Sequence, residues 1–224
     1  MNMQEAYWRE LGIWPLWIPR GESQPVSAAD TSPSPSMPSV PLLSLHDQIS
    51  TCTRCPLHQQ RQQPVYGLIR SGSPWMFIGE APGYEEDRTG QPFVGDSGKL
   101  LDQMLHAIGL ERAQVSIANV IKCRPPHNRT PTTVECQSCL PYLEQQIAEV
   151  RPKVLVLLGK VAAQSLLKKT QTMTELRKES LEFQGIPTIA TWHPAYLLRN
   201  PQEKQGAWRD LCRARRAVTR YKPT

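Results

Sequence analysis

The chain has 224 residues and a mass of 25.3 kDa, enough for one domain of ordinary size with a small appendage. At 39% hydrophobic and 21% charged it can build a core, which excludes wholesale disorder, and its longest apolar run, Val154–Gly159, is too short to span a bilayer. Charge is +6 and unevenly placed: residues 1–50 hold two basic against five acidic residues (net −3), leaving 24 basic against 15 acidic (net +9) for the remainder. A basic folded part suits a polyphosphate partner, because cationic side chains release condensed counterions. A merely solubilising surface is the competing reading.

The first twenty residues place Tyr7, Leu11 and Trp14 at spacings of four and three, which predicts a short helical face ending near Gly12–Pro15. Acidic residues interrupt the stretch, and it has neither a basic leading region nor a small-residue cleavage site. It does not read as a signal peptide, and a cytoplasmic protein is expected. Residues 21–45 contain five Pro and seven Ser with almost no apolar period, the composition of a flexible, disordered linker. The expected organisation is a partner-docking peptide over 1–20, the linker over 21–45, and a folded domain over 46–224.

From residue 46 onward, short apolar runs alternate with amphipathic stretches. Trp75–Ile78, Val115–Ile121, Val154–Leu158 and Ile186–Ala190 read as buried strands; Ser97–Ile108, Thr133–Val150, Val161–Lys168 and Glu203–Arg220 read as helices. That alternation predicts an α/β fold with a central four-stranded parallel sheet flanked by helices on both faces. Each strand runs into an unusual segment: Gly79-Glu80-Ala81-Pro82-Gly83 with Glu85-Glu86-Asp87 and Gly90–Gly95 behind it, then Asn119 and Cys123-Arg124-Pro125-Pro126, then Gly159-Lys160, then Trp192-His193-Pro194-Ala195-Tyr196. Carboxyl ends of parallel strands line one crevice. Glu80, Phe93, Asn119 and His193 gathered there would offer an aromatic platform, an amide and two titratable groups, a set suited to a planar, hydrogen-bonding ring. Taken singly, each has a structural explanation; their convergence carries the reading.

Six cysteines occur, at 52, 55, 123, 136, 139 and 212, including the pairs Cys52-x-x-Cys55 and Cys136-x-x-Cys139. In a cytoplasmic protein such thiols are more often metal ligands than disulfides. Zinc and an iron–sulfur cluster both remain open on ligand softness, and two CxxC pairs by themselves favour zinc. Neither pair sits between a strand and a helix as a redox dithiol would.

The segments CTRCPL, GEAPGYEED, TGQPFVGDSGKLLD, ANVIKCRPPHNRTP, Glu135-x3-Cys139-x-Pro141-x-Leu143, VLLGKVAA and HPAYLLRNP, in this order from about Leu45 to Arg216, resemble the family 4 uracil-DNA glycosylases, the iron–sulfur branch of that superfamily. The resemblance implies a 4Fe–4S cluster on Cys52, Cys55, Cys123 and Cys139, with Cys136 outside the ligand set. It further implies a monofunctional glycosylase that flips uracil out of DNA and leaves an abasic site. His193 would donate to uracil O2 as negative charge develops, Phe93 would stack on the base, and Asn119 would match O4 and N3–H. Gly79 and Ala81 would flank the base, and Glu86 would wall off a thymine methyl. Glu80 would orient water or favour the cationic sugar, while Lys160 is not expected to act as a nucleophile. Tyr196, Leu197 and Leu198 would wedge into the duplex, with Arg199, Arg213, Arg215 and Arg216 on phosphates.

Glu10-Leu11-Gly12-Ile13, Trp17 and Arg20 are similar to the N-terminal peptide by which the psi subunit of the bacterial polymerase III clamp loader binds the chi subunit. That similarity implies an enzyme tethered near replication forks; a monomeric, nucleoid-associated bacterial protein is expected, and the glycosylase resemblance implies uracil-containing DNA as substrate. The rival expectations are a non-catalytic, zinc- or iron–sulfur-stapled nucleic-acid-binding module and a redox iron–sulfur protein.

Overall fold

In the computed structural model, residues 44–220 are described; the expected docking peptide and nearly all of the expected linker lie outside them. The first helix, α1 (Leu45–Ser50), is capped by the Ser44 hydroxyl, which accepts from Asp47 N–H. Strand β1 (Trp75–Gly79) leads into α2 (Tyr84–Thr89) and α3 (Asp96–Ala107), and Gly109 at φ +76° lets the chain turn away behind α3. Then come β2 (Ser116–Asn119), α4 (Thr133–Val150), β3 (Val154–Leu158), α5 (Lys160–Leu167) and α6 (Met173–Leu176). Strands β4 (Leu181–Phe183) and β5 (Ile186–Thr191), then α7 (Pro194–Arg199) and α8 (Lys204–Arg220), complete the described chain.

The sheet order is β2-β1-β3-β5-β4. The four expected strands are present and parallel, but the sheet has a fifth: β4 pairs antiparallel with β5 at the edge. Three residues carry too little alternation to announce a strand, and β4 exists because the turn at Gln184–Gly185, both at positive φ, folds it back on β5. Side chains alternate strictly. Met76, Ile78, Leu155 and Leu157 face a core shared with α1, α4 and α5; Phe77, Ile117, Val156 and Leu158 face one shared with α3 and α8. The sheet is thus covered on both sides, as a parallel sheet requires.

Helix α4 begins at a capping box. Thr132 Oγ1 accepts from Glu135 N–H at 3.2 Å, and the Glu135 carboxylate accepts from Thr132 N–H at 2.7 Å while taking two bonds from Arg129. The Arg129 guanidinium holds the Glu135 carboxyl down to about 2. Because α4 carries Cys136 and Cys139, this cap also fixes where those thiols stand. Thr132→Ala should lower global stability by about 1 kcal/mol, read by urea unfolding; no shift in midpoint would show that Glu135 alone holds the helix start.

Candidate active site

After β1 the chain crosses to β2 on one side, and it later returns to β3 on the other, so the carboxyl ends of β1 and β3 part above the sheet. The register keeps these ends level, with Gly79 opposite Asn119 and Leu158 opposite Thr191. A cleft of about 560 Å³ opens there. Glu80, Ala81, Glu86, Phe93, Asn119, His193, Tyr196 and Arg199, all named from the sequence, line it.

The inner wall is built around a missing side chain. A Cβ on Gly79 would stand 2.5 Å from both Asn119 Oδ1 and the Phe93 ring, so only glycine lets these two groups meet. Phe93 itself sits at φ +52°, a conformation a bulky residue holds only under constraint. The constraint comes from Glu86, whose carboxylate accepts from the N–H groups of Val94 (2.8 Å), Gly95 (3.0 Å) and Gly83 (3.0 Å). Arg112 adds a bond to the Pro92 carbonyl while pairing with Asp102 at 2.8 Å. Glu86 therefore anchors the loop that presents Phe93, and its carboxylate is committed to backbone.

Asn119 is 2% exposed, and its Oδ1 is the single buried side-chain polar atom among the described residues with no hydrogen-bond partner. An unpaired buried acceptor costs about 1–3 kcal/mol, so such an atom marks a place where a ligand donor belongs. The Phe93 ring lies 5.7 Å from the His193 ring, centroid to centroid. His193 opens α7, and its Nδ1 accepts from Ala195 N–H at 3.1 Å, which leaves the proton on Nε2. Loss of solvent, and secondarily the charge of Arg199, push the imidazole down to about 4. The Glu80 carboxylate has no hydrogen-bond or ion-pair partner among the described residues, and burial pushes it above the usual 4.5.

Two of the expected DNA contacts are corrected. Leu197 is 1% exposed and packs into the core beneath α7 with Leu211 and Ala214, because the helical turn that points Leu198 outward turns Leu197 in; only Leu198 of the pair is free. Arg213 is occupied as well, donating to the carbonyls of Arg177 and Glu179. The outer wall is Asn128, Arg129, Thr130, Lys160, Met173 and Trp192; Lys160 and Trp192 stand in the strand-end segments expected there, while Asn128, Arg129, Thr130 and Met173 were not foreseen. Pro125, in a segment expected at the strand ends, also lines the cleft, and His127 and Asn128 just beyond it both stand at positive φ, a rarity that sequence does not display.

Cys52, Cys55, Cys123 and Cys139 line a second pocket together with Arg54, Arg61 and Lys122. Arg61 Nη1 lies 3.1 Å from Cys123 Sγ. Burial raises the thiols of Cys55 and Cys123 and pushes Cys139 up to about 11. Cys136 is buried but does not line this pocket. Among the described residues no group of His, Cys, Asp or Glu side chains is gathered tightly enough to hold a metal ion; the four thiols surround their pocket instead. Three cations around four sulfurs is the charge environment of thiolates, so the donor set fits a sulfur-bound centre.

Fold and cleft together define a doubly wound α/β protein with an open cleft at the carboxyl ends of its strands. Residues 66–212 match the model of the Uracil DNA glycosylase superfamily, and the chain belongs to that family. It is similar to the Type-4 uracil-DNA glycosylase of Pyrobaculum aerophilum, 38% identical over 180 residues (76% of this chain, 91% of the relative). That of Archaeoglobus fulgidus is 38% identical over 185 residues (79% and 93%), and that of Thermotoga maritima 43% over 156 residues (69% and 81%). Among the described residues no helix is long and apolar enough to cross a membrane.

His193 should show a neutral, Nε2-protonated imidazole by nitrogen NMR at about pH 5.5, where a free histidine is mostly charged. Titration near 6.5 would remove the desolvated donor. The sign for stability follows: the folded value lies below the unfolded one, so the unfolded chain takes the proton first. The contribution is whole above 6.5 and is lost as pH falls toward 4.

Proposed function

We propose that the cleft excises uracil from DNA, leaving an abasic site. The observation that carries this reading is the pairing of an unsatisfied, buried Asn119 Oδ1 with a neutral His193 whose Nε2–H is free, both beside the Phe93 ring. A flipped uracil stacked on Phe93 offers its N3–H to Asn119 Oδ1 and its O4 to the amide N–H. Cytosine presents the reverse pattern along that edge and would leave buried groups unpaired. The anchored Glu86 turn forms the wall against a thymine C5 methyl.

Heterolysis of the bond between C1′ and N1 sends its electron pair to the base, and charge accumulates on O2. His193 Nε2–H stabilises that charge from a fixed, desolvated position, without having to transfer its proton. The sugar becomes cationic; Glu80, once ionised, favours it and accepts a proton as water adds to C1′. Tyr196 and Leu198 hold the gap in the duplex, and Arg199, Arg215 and Arg216 hold phosphates. The outer wall supplies Lys160 to the same strand.

Cys52, Cys55, Cys123 and Cys139 would hold a 4Fe–4S cluster, which braces the segment before β1 against α4 and supplies no step of the hydrolysis. A polynuclear cluster binds thiolates around its own core, whereas one zinc draws all four to about 2.3 Å, and thiols spread around a pocket favour the former. Residues 1–20 are read as a tether to the chi subunit of the polymerase III clamp loader, which would keep a monomeric enzyme at the nucleoid. Loss of chi binding on deleting residues 1–20 supports this; unchanged binding ends it.

The decisive assay is incubation with a single-uracil oligonucleotide followed by alkaline cleavage at the abasic site. His193→Ala should slow release by about 10²–10³-fold, the scale of losing one oxyanion donor, with the iron colour retained; an unchanged rate would sink the leaving-group role. Asn119→Asp should gain cytosine release relative to wild type, and an unaltered base preference would refute the recognition role. The acid limb of kcat should fall above 4.5, set by Glu80 and not by His193, and Glu80→Gln should flatten it.

A further inference from the structure

Lys122 stands three residues beyond Asn119 and immediately before Cys123, between the two sites. It is 1% exposed, and its ammonium donates to two neutral oxygens, Asn119 O at 2.8 Å and Gln146 Oε1 at 2.6 Å. Among the described residues no carboxylate pairs with it. A buried ammonium without a counter-charge is unfavourable, and neutral carbonyls only partly offset its desolvation. The nearby groups that become anionic on ligating a metal centre are the cysteine sulfurs. Lys122 lines the four-cysteine pocket, and its side chain lies within electrostatic reach of both Cys139 and Cys123.

The other end of the same side chain reaches the base-reading wall. Asn119 is the last residue of β2, and beyond it the backbone bends, with Val120 N–H on the Gly79 carbonyl and Ile121 N–H on that of Glu80. The ammonium holds the Asn119 carbonyl at this bend, which sets how the amide of that residue meets Phe93. Gln146, fully buried on α4, carries the link onward by donating to the Tyr66 carbonyl at 2.7 Å.

We propose that Lys122 is a positioning residue joining the metal pocket to base recognition: one buried cation balances the thiolate charge and pins the carbonyl of Asn119. The inference rests on the reading of the cleft as a uracil site. It means that a filled cysteine pocket holds Lys122 in place and thereby the amide that reads the base.

The test uses the full-length, iron-loaded protein with Lys122→Met and with Gln146→Glu. The second keeps side-chain shape and places a carboxylate beside the ammonium, cancelling its charge and drawing it from the Asn119 carbonyl. The measurements are the midpoint potential of the metal centre and the split between kcat and KM on a uracil-containing oligonucleotide. Both variants should lower the potential, since loss of a nearby positive charge disfavours the more negative reduced centre. Both should cut kcat about tenfold with KM for DNA little changed. Should Lys122→Met fail to hold iron, Gln146→Glu decides alone. An unmoved potential, or an unmoved kcat, in a variant that keeps its iron overturns the link. Wild type is assayed alongside: if it releases no uracil, the proposed function fails while the potential still reports on Lys122, and if it is active with both variants unchanged, the role of Lys122 fails alone.

Discussion

Phe93 and Asn119 share one wall of the cleft because the residue between them has no side chain. Gly79 ends β1, Asn119 ends β2 in register with it, and the Phe93 ring closes over the pair. Any Cβ at residue 79 would displace the ring or the amide, so recognition of a flat ligand reduces to a steric condition at one backbone position. The rest of the site follows from keeping that contact intact. The Glu86 carboxylate holds the Phe93 loop through three backbone N–H groups, and a Cβ on Gly98 would overlap the Phe93 carbonyl, so α3 lies close against the same loop.

Burial supplies the second condition. An unpaired acceptor on Asn119, an imidazole kept neutral, a carboxyl pushed upward and an ammonium without a carboxylate are each unfavourable to fold. They are tolerable together because each has a prospective partner: a ring donor for Asn119, developing anionic charge for His193, cationic charge for Glu80, thiolates for Lys122. Low dielectric strengthens all four once the partners arrive. Three of these groups line the cleft, while Lys122 lies behind it at the cysteine pocket and bonds to the Asn119 carbonyl, the contact by which charge at that pocket reaches the cleft wall.

Much of this was legible in the chain. Helix Thr133–Val150 and strand Val154–Leu158 stand where periodicity placed them, because a capping box and a continuous apolar run are local signals. The convergence of Glu80, Phe93, Asn119 and His193 was readable because parallel strands deliver their carboxyl ends to one side. Other features depend on tertiary context. Strand β4 is too short to show a period. Leu197 and Leu198 are the same residue type in adjacent positions, and only the angle of α7 against the core sends one inward. Arg213 reads like its basic neighbours until the carbonyls of Arg177 and Glu179 are brought beside it. Lys122 looked like one more charge in a basic chain; nothing local marks a lysine whose ammonium will be enclosed.

The backbone at the cleft shows where the cost of this arrangement falls. Phe93, His127 and Asn128 all hold positive φ, each unfavourable by about 1–3 kcal/mol for a residue with a side chain. Phe93 is held by Glu86, and Asn128 by Arg124, whose Nε donates to Asn128 Oδ1 at 2.7 Å while its guanidinium covers the Tyr84 ring. Strain restrained from two directions moves little when a ligand arrives, and groups that need not reorganise are those that lower a barrier most. The stability surrendered along these loops is recovered in the helix cap at Thr132 and in two cores that enclose the sheet, so rigidity at the cleft is supplied by parts of the molecule that never touch the base.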